Sequence, residues 1–532
     1  MKLSRGIFTV ALALVFCANS FSLEVDEKEL ETVSTQPVVF ENYNGPHSVI
    51  NSAAEIAGIG TDLGKIIADN PETPKNAGSS LRYQIIHAVN PEEKGKFDAD
   101  IFVIGSSSTI DHIKNIRRII SAYLSKAYGY SSDDAQTVAT FVTVYNAVYR
   151  GNTDYFNLKY KKIVTDNLTA EKAGIALNYR DWPGKTQIVI PLADVNGGLS
   201  TVDTSVISDK KVVQSMQEDE DKGVDSRKQM VNIKEREADN AQEKANDAQK
   251  KAVEESAKLK EEQKKAETAK TEAQNAQKEA EQAQKKAEEN PEDKQAQKEA
   301  AEKRQEAEQK QEEAVQQEQK AQEQSEKAQE AKDEAAQAQA AADTKRTEAQ
   351  TERTSIAQDQ QTIVREQTKN QNAAGVYGLK SVDELGILST LVKLNAETGT
   401  VIKESPVTVI RSRTIFETQA GYIAIAGTSL GNGAVKLVVL DKENMEIVKE
   451  SNETIAENSV LVSDGSNFYC IIQDGKNFVT GKFNENAENL LKSQVNVKPA
   501  TPLTITQNGI LATSSSNIPV LLNTKDLSQI KN

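Results

Sequence analysis

Alanine recurs through the middle of this chain on a spacing that belongs to long helices. It falls at Ala238, Ala241, Ala245, Ala248 and Ala252, and again at Ala266, Ala269, Ala273, Ala276, Ala280, Ala283 and Ala287. Alternating steps of three and four place these residues on one stripe, where heptad a and d positions sit, so two helices can approach closely along it. After Pro291 the pattern restarts with a one-residue slip: Ala300, Ala307, Ala314, Ala321, Ala328, Ala335, Ala342 and Ala349, continued by Ile356 and Ile363. In this second arm one heptad position is apolar and its partner is mostly Lys or Gln, which predicts a weaker seam. Around the stripes, residues 218–371 are almost wholly Ala, Glu, Gln and Lys, without an aromatic residue and, past Gly223, without glycine. Such a stretch closes no globular core but does form a long helix or coiled coil.

The break at residues 290–293, Asn-Pro-Glu-Asp, has the chemistry of a fresh helix start: Asn290 as N-cap, Pro291 at the first helical position, then two acids against the positive helix end. The arms on either side are similar in length, on the order of 110 Å each at 1.5 Å per residue. Matched arms predict an antiparallel hairpin, with a single kinked spacer helix as the alternative. Each alanine buries roughly one methyl group, near 0.8 kcal/mol at best, so the seam is expected to be locally weak.

The flanking regions have globular patterns. Toward the amino terminus, residues 99–104 and 186–192 are short β-branched runs that read as strands. Ile110, Ile113, Ile116, Ile120 and Leu124 recur at helical spacing, and Asp133 opens a second helix with Val138, Phe141, Val142, Tyr145 and Val148 on its apolar face. This predicts an α+β domain. Beyond residue 376 the chain turns to β-branched residues, Gly and Asn, and repeats itself. Leu391-Val392-Lys393-Leu394-Asn395, running on to Lys403-Glu404-Ser405, is echoed by Leu437-Val438-Val439-Leu440-Asp441, running on to Lys449-Glu450-Ser451, with weaker copies at 479–493 and 521–531. Spacings near 40 to 46 residues with alternating strands fit propeller-like blades, a β-meander sandwich being the alternative. Asp464-Gly465 and Asp474-Gly475 mark hairpin turns around the strand at 468–472.

The 532 residues therefore divide into a signal peptide (1–22), an α+β amino-terminal domain (23–216), a coiled coil (217–372) broken at 290–293, and an all-β, propeller-like repeat domain (373–532). The signal consists of Lys2 and Arg5, an apolar stretch over 7–18, and cleavage after Ser22. No later run is apolar enough to span a bilayer, so an extracytoplasmic location is expected, periplasmic or associated with the outer membrane. Cys17 resembles a lipidation site, but Phe16 is too bulky for the position before it. Cys470, in an apolar strand-like run, reads as a small buried hydrophobe. The net charge of −15, with Lys and Glu interleaved, argues against nucleic acid and describes a solvated helix face.

No catalytic, cofactor-binding or metal site is assigned. Gly184-Lys185-Thr186 looks like the end of a phosphate loop, yet its earlier glycine would fall at Tyr179 and it leads into a strand. Gly58, Gly60 and Gly64 miss a dinucleotide fingerprint by one residue and read as turn glycines. His47, His87 and His112 are scattered without ligand spacing. The competing enzymatic reading is a hydrolase-type site in the amino-terminal domain that uses Asp98, Asp100 or Asp154 with Tyr149 and Arg150.

Phe40-Glu41-Asn42-Tyr43-Asn44-Gly45-Pro46, the Arg117-Arg118-Ile119 helix, Tyr145-Asn146-Ala147-Val148-Tyr149-Arg150-Gly151 with Asp154-Tyr155, and Trp182 followed by Gly184-Lys185-Thr186-Gln187-Ile188 and Ile190-Pro191-Leu192 resemble the spirochaetal (Borrelia-type) p83/100 antigen family. The carboxy-terminal repeat, with Thr398-Gly399 and Lys403-Glu404-Ser405, resembles the same family, whereas the Ala- and Gln-rich coil departs from its Lys-, Asp-, Glu- and Ser-rich relatives. The resemblance implies a secreted, immunogenic protein of the cell envelope and brings no site residues with it. The expected function is thus a non-enzymatic scaffold whose coil holds two heads apart. One head would bind a protein or glycan, self-association through the coil is open, and a surface adhesin is the further alternative.

Overall fold

A computed structural model of the protein describes residues 37–531 apart from 196, 220, 372 and 373, so the signal segment and Cys17 lie outside the described residues. The amino-terminal head is built on a sheet in which β1 (Lys75–Ser79), β2 (Tyr83–Ala88), β3 (Asp98–Ile104) and β4 (Thr186–Leu192) lie side by side in chain order, all antiparallel. The runs at 99–104 and 186–192 are thus neighbouring strands, with Phe102 opposite Ile188. Helices α1 (Ala53–Ala68), α2 (Ile113–Tyr128) and α3 (Ser132–Val148) supply the other layer of the core. Ile116, Ile119, Ile120 and Leu124 are buried on one stripe of α2, as their spacing requires. Short helices α4 (Thr153–Lys159), α5 (Lys162–Thr165), α6 (Thr204–Ile207) and α7 (Lys210–Gln217) complete the head.

Two local readings are corrected. Gly58, Gly60 and Gly64 lie inside α1, not in turns. A side chain at Gly60 would put its Cβ 1.9 Å from the Ile119 carbonyl oxygen, and one at Gly64 would lie 2.9 Å from that of Tyr123, so both glycines let α1 and α2 pack backbone to backbone. The cap at the hairpin bend is Asp293, whose carboxylate accepts the Gln295 and Ala296 N–H groups at 2.9 and 3.3 Å. Asn290 instead closes the preceding helix, its N–H donating to the Lys286 carbonyl, and Pro291-Glu292 form the turn.

The two central arms are α8 (Val224–Glu289) and α9 (Lys294–Gln371), packed against each other as an antiparallel hairpin. Ala238, Ala245, Ala252, Ala273, Ala280 and Ala283 of α8 are buried, as are Ala300, Ala307, Ala314, Ala328, Ala335, Ala342 and Ala349 of α9. The polar half of the second stripe also faces the opposite arm and forms ion pairs there: Lys303 with Glu279, Lys310 with Glu272, and Lys345 with Glu237, at 2.7–3.0 Å. The partners of each pair are equidistant in sequence from Pro291, so the bend sets the register. Glu279 and Glu272 are exposed and their lysines half-buried, so the outer pairs are worth only about 0–1 kcal/mol each. They align the arms more than they bind them.

The root of the hairpin is different. Arg227 is fully buried and donates to Glu352 at 2.5 Å, Asp359 at 2.6 Å, Ser355 at 3.0 Å and the Lys222 carbonyl at 3.0 Å. Burial works to raise the Asp359 carboxyl, but hydrogen bonds from Arg227 and Gln217 outweigh it and hold the group below its ordinary range. Met230 and Ile233 of α8 belong to the core of the amino-terminal head, and Arg236 clasps Asp134 of α3 through both carboxylate oxygens. The rod therefore grows out of the first head, and its first turns are part of that head's core.

The carboxy-terminal head is a stack of four antiparallel sheets in chain order. The first contains β5 (Gly375–Ser381), β6 (Ser389–Asn395) and β7 (Val401–Glu404), and the second β8 (Phe416–Glu417), β9 (Tyr422–Gly427), β10 (Val435–Leu440) and β11 (Ile447–Glu450). The third contains β12 (Val462–Ser463), β13 (Phe468–Asp474), β14 (Asn477–Phe483) and β15 (Asn489–Asn496), and the last β16 (Thr504–Thr506), β17 (Gly509–Thr513) and β18 (Pro519–Leu522). The interior sheets are apolar on both faces. Ala424, Ala426, Val438 and Leu440 pack toward Leu391 of the first sheet, while Ile423, Ile425, Leu437 and Val439 pack toward Phe468, Cys470 and Ile472 of the third. Tyr469 and Ile471 then meet Ile510, Ala512, Val520 and Leu522 of the last. The strand period of two is what allows one run to seal two boundaries.

Two substitutions test this architecture. Gly60→Ala is expected to lower stability by about 1–3 kcal/mol through overpacking between α1 and α2, read by chemical unfolding. Arg227→Met is expected to cost about 3–5 kcal/mol by stranding its carboxylate partners. Hydrogen exchange should then quicken at residues 222–240 and 345–360, while the bend around Pro291 stays unchanged.

Candidate functional site

The segment that opens the described chain joins the two heads. Asn42 accepts the Ile113 N–H at 2.7 Å, and the Tyr43 N–H donates to the Asp111 carbonyl at 2.9 Å, which ties the segment to the start of α2. The Tyr43 ring then points the other way, into the carboxy-terminal head, among Val407, Val409, Ile410 and Ala426. Its hydroxyl donates to the Pro46 carbonyl at 2.8 Å. His47 forms an antiparallel bridge with Gly433, and the N–H groups of Ala434 and Ser48 donate to the carbonyls of Pro46 and Asn432 at 2.9 and 2.7 Å. Asn432 in turn donates to the Thr109 carbonyl at 3.1 Å. The expectation of two heads held apart is thereby corrected: the hairpin returns the chain to its root, and the heads share hydrogen bonds and a buried tyrosine.

A cavity of about 310 Å³ opens beside this junction, walled by the amino-terminal head and its leading segment, with Asn432 of the carboxy-terminal head at its edge. Ile56, Ile59 and Ile119 line its apolar side, Arg82, Asn115 and Asn432 its polar side, and Ile50 stands at its mouth with 83 % of its surface exposed. His47 Nε2 lies 3.0 Å from Asp111 Oδ2 on the wall. That hydrogen bond, opposed by burial and helped by the charges of Asp111 and Glu450, raises the His47 pKa. The cleft thus offers an apolar surface with a histidine–carboxylate pair, a guanidinium and amides set around it, a combination suited to binding.

The other histidines do structural work. His112 is pushed down to about 4, by burial first and then by the charges of Lys114 and Arg117, and its neutral Nδ1 accepts the Lys114 N–H at the start of α2. His87 is buried in the sheet, with Nδ1 2.5 Å from Asp100 and Nε2 2.7 Å from the Pro71 carbonyl. A carbonyl only accepts, so Nε2 carries a proton. With a carboxylate at Nδ1 as well, the ring is an imidazolium. Burial on its own lowers this group, but the Asp100 hydrogen bond and charge and the Pro71 carbonyl win, and its pKa is raised. Tyr123 and Tyr128 donate to the second Asp100 oxygen at 2.7 and 2.6 Å, which completes a closed polar network.

The acids considered for a hydrolase-type site do not converge. Asp98 pairs with Lys161 at 2.7 Å, Asp100 belongs to the His87 network, and Asp154 sits exposed in the first turn of α4. Tyr149 donates to Asp209 at 2.6 Å and stacks on Tyr155 with ring centres 3.7 Å apart. Arg150 spends its guanidinium on the carbonyls of Glu171, Lys172, Gly174 and Lys185. Gly184 turns the chain into β4 with Lys185 paired to Asp181, an arrangement with no helix behind it to receive a phosphate. Cys470 is fully buried, and burial pushes its thiol pKa up. The junction cleft itself was missed, because its walls come from three separate segments, 47–59, 82–83 and 109–119, with Asn432 added from more than three hundred residues away. The one local signal was the adjacent apolar pair Val49-Ile50 with a polar residue on either side.

The fold is that of a two-headed protein whose heads are joined at the base of a helical hairpin. The chain belongs to the Borrelia P83/100 protein family, whose family model matches residues 27–503. That membership points to an antigen-type protein of the cell envelope and to no enzyme family. No curated protein matches the chain significantly. No helix among the described residues is long and apolar enough to cross a membrane.

The His87 network gives a pH dependence with a definite sign. A raised folded-state pKa contributes stability that is fully present below about pH 6.5, the unfolded value, and is lost as pH rises through the folded value. The difference in unfolding free energy between the wild type and His87→Gln is therefore expected to be largest in mildly acidic buffer and to shrink as pH rises.

Proposed function

We propose that this protein is a non-enzymatic scaffold of the cell envelope, exported by its amino-terminal signal, that binds a partner in the cleft beside the junction of its heads. A periplasmic or outer-membrane-associated location fits the signal-like start of the sequence and the family. The observation that carries the reading is the junction cleft: a cavity of about 310 Å³ in the amino-terminal head, edged by Asn432 of the other head, with an exposed isoleucine at its mouth and charged groups around an apolar floor. Exposed apolar side chains beside Arg82 favour a protein segment with an apolar anchor and an acidic neighbour over a glycan, because Tyr83, the aromatic residue of the lining, stacks on Phe102 and is hydrogen-bonded to Ser108 instead of offering an open platform. The propeller-like sheet stack closes one edge of the cleft through Asn432, and the hairpin fixes the heads together while projecting away from them.

The test is site-specific photo-crosslinking in intact cells from position 50, compared with position 253, an exposed valine far out on the hairpin. A discrete adduct formed from position 50, absent from position 253 and lost in Arg82→Glu, is expected. Identical patterns from both positions, or an adduct indifferent to Arg82→Glu, would sink the reading.

A further inference from the structure

The sheet stack obeys one rule at each internal boundary. Every sheet has a hairpin turn opened by an Asn or Asp whose side chain accepts following N–H groups, at Asn395, Asp441, Asn484 and Asn523. Each turn contains a residue with positive φ: Gly399, Met445, Ala487 and Leu527. A side chain is strained in that conformation, yet three of the four turns carry one, and all three are buried against the preceding sheet. Ser405 of the first sheet donates to the Met445 carbonyl at 2.6 Å and Ser493 of the third to the Leu527 carbonyl at 2.8 Å, so each of these two turns is also held from the sheet before it. Only the first sheet, which has no predecessor in the chain, has glycine at this position, and a side chain added there would meet nothing.

The first sheet therefore has the shape of a repeat whose predecessor's place stands open. On that face Val376, Leu394 and Val401 lie directly across neighbouring strands, with Val376 and Val401 51 % and 54 % exposed. At the other end, Leu511 and Leu521 of the last sheet lie across from each other on the face turned away from the third sheet, and Leu511 is 41 % exposed. These are the two kinds of face that meet at every internal boundary. Among the described residues no core cluster joins the last sheet to the first.

We propose that the last sheet of one copy stacks on the first sheet of a second copy, continuing the repeat across a subunit boundary, with the reciprocal contact closing a pair of four-sheet arcs into a dimer. The alanine stripes of the hairpin are already buried between its own arms, whereas both sheet faces expose side chains of the right kind and spacing. A second copy fits both ends at once because each molecule carries one face of each type.

Sedimentation velocity of the full mature protein over a micromolar concentration series tests this. The wild type is expected to dimerise. Val401→Glu and Leu511→Glu should each weaken association by about tenfold or more, since either buries a carboxylate in an apolar contact, while circular dichroism, and the unfolding midpoint at concentrations where all forms are monomeric, stay unchanged. Val448→Glu, at an equally exposed position on an interior sheet, should leave association intact. Because each variant keeps one good face, mixing Val401→Glu with Leu511→Glu should restore a mixed dimer through the single intact contact. A longer series of oligomers that both variants collapse would also support the stacking. A wild type that stays monomeric, a dimer indifferent to both variants, or failure of the mixture to associate would overturn it.

Discussion

A buried arginine holds this molecule in its shape. Arg227 sits where the outgoing helix leaves the first head and the returning helix comes back, and its guanidinium reaches Glu352 and Asp359 on the far arm. A charge removed from water is tolerated only when its hydrogen bonds are satisfied, so the returning arm must place two carboxylates and a serine at that point. The alanine seam beyond buries little and could not enforce this. Together with Arg236 on Asp134, the root pairing converts a flexible excursion of the chain into a fixed connection and delivers the second head next to the first.

Once the ends are brought together, a short amino-terminal segment completes the joint. Tyr43 illustrates how: its backbone belongs to one head and its ring to the core of the other. The glycines nearby fit the same purpose. A Cβ at Gly45 would lie 2.6 Å from a Val409 methyl, and one at Gly433 would lie 2.9 Å from the Tyr43 hydroxyl. Such close approach leaves little freedom between the heads and keeps Asn432 at the edge of the cleft.

Much of the architecture was legible in the sequence because it rests on periodicity. The alanine stripes specified which faces of the two arms meet, and the Lys and Gln positions that read as a weak half of the seam turned out to reach Glu279, Glu272 and Glu237 across it. The strands at residues 99–104 and 186–192 and the repeat beginning at Leu391 were equally plain. What could not be read was long-range. Gly60 and Gly64 look like turn residues until the neighbouring helix is in place. Lys75-Asn76-Ala77-Gly78-Ser79 has no strand signal of its own and pairs only because Tyr83 to His87 lies beside it. The head junction depends on contacts spanning more than three hundred residues, and no local pattern encodes those.

The symmetry of the arms about Pro291 has an implication for how such a protein can change its size. Since partners across the hairpin are matched by their distance from the bend, removing or adding a heptad in both arms together would shorten or lengthen the projection and leave root, heads and cleft as they are. A change in one arm alone would throw every pairing between the edit and the root out of step. Reach is thus a freely adjustable dimension of this design, provided it is adjusted in paired units.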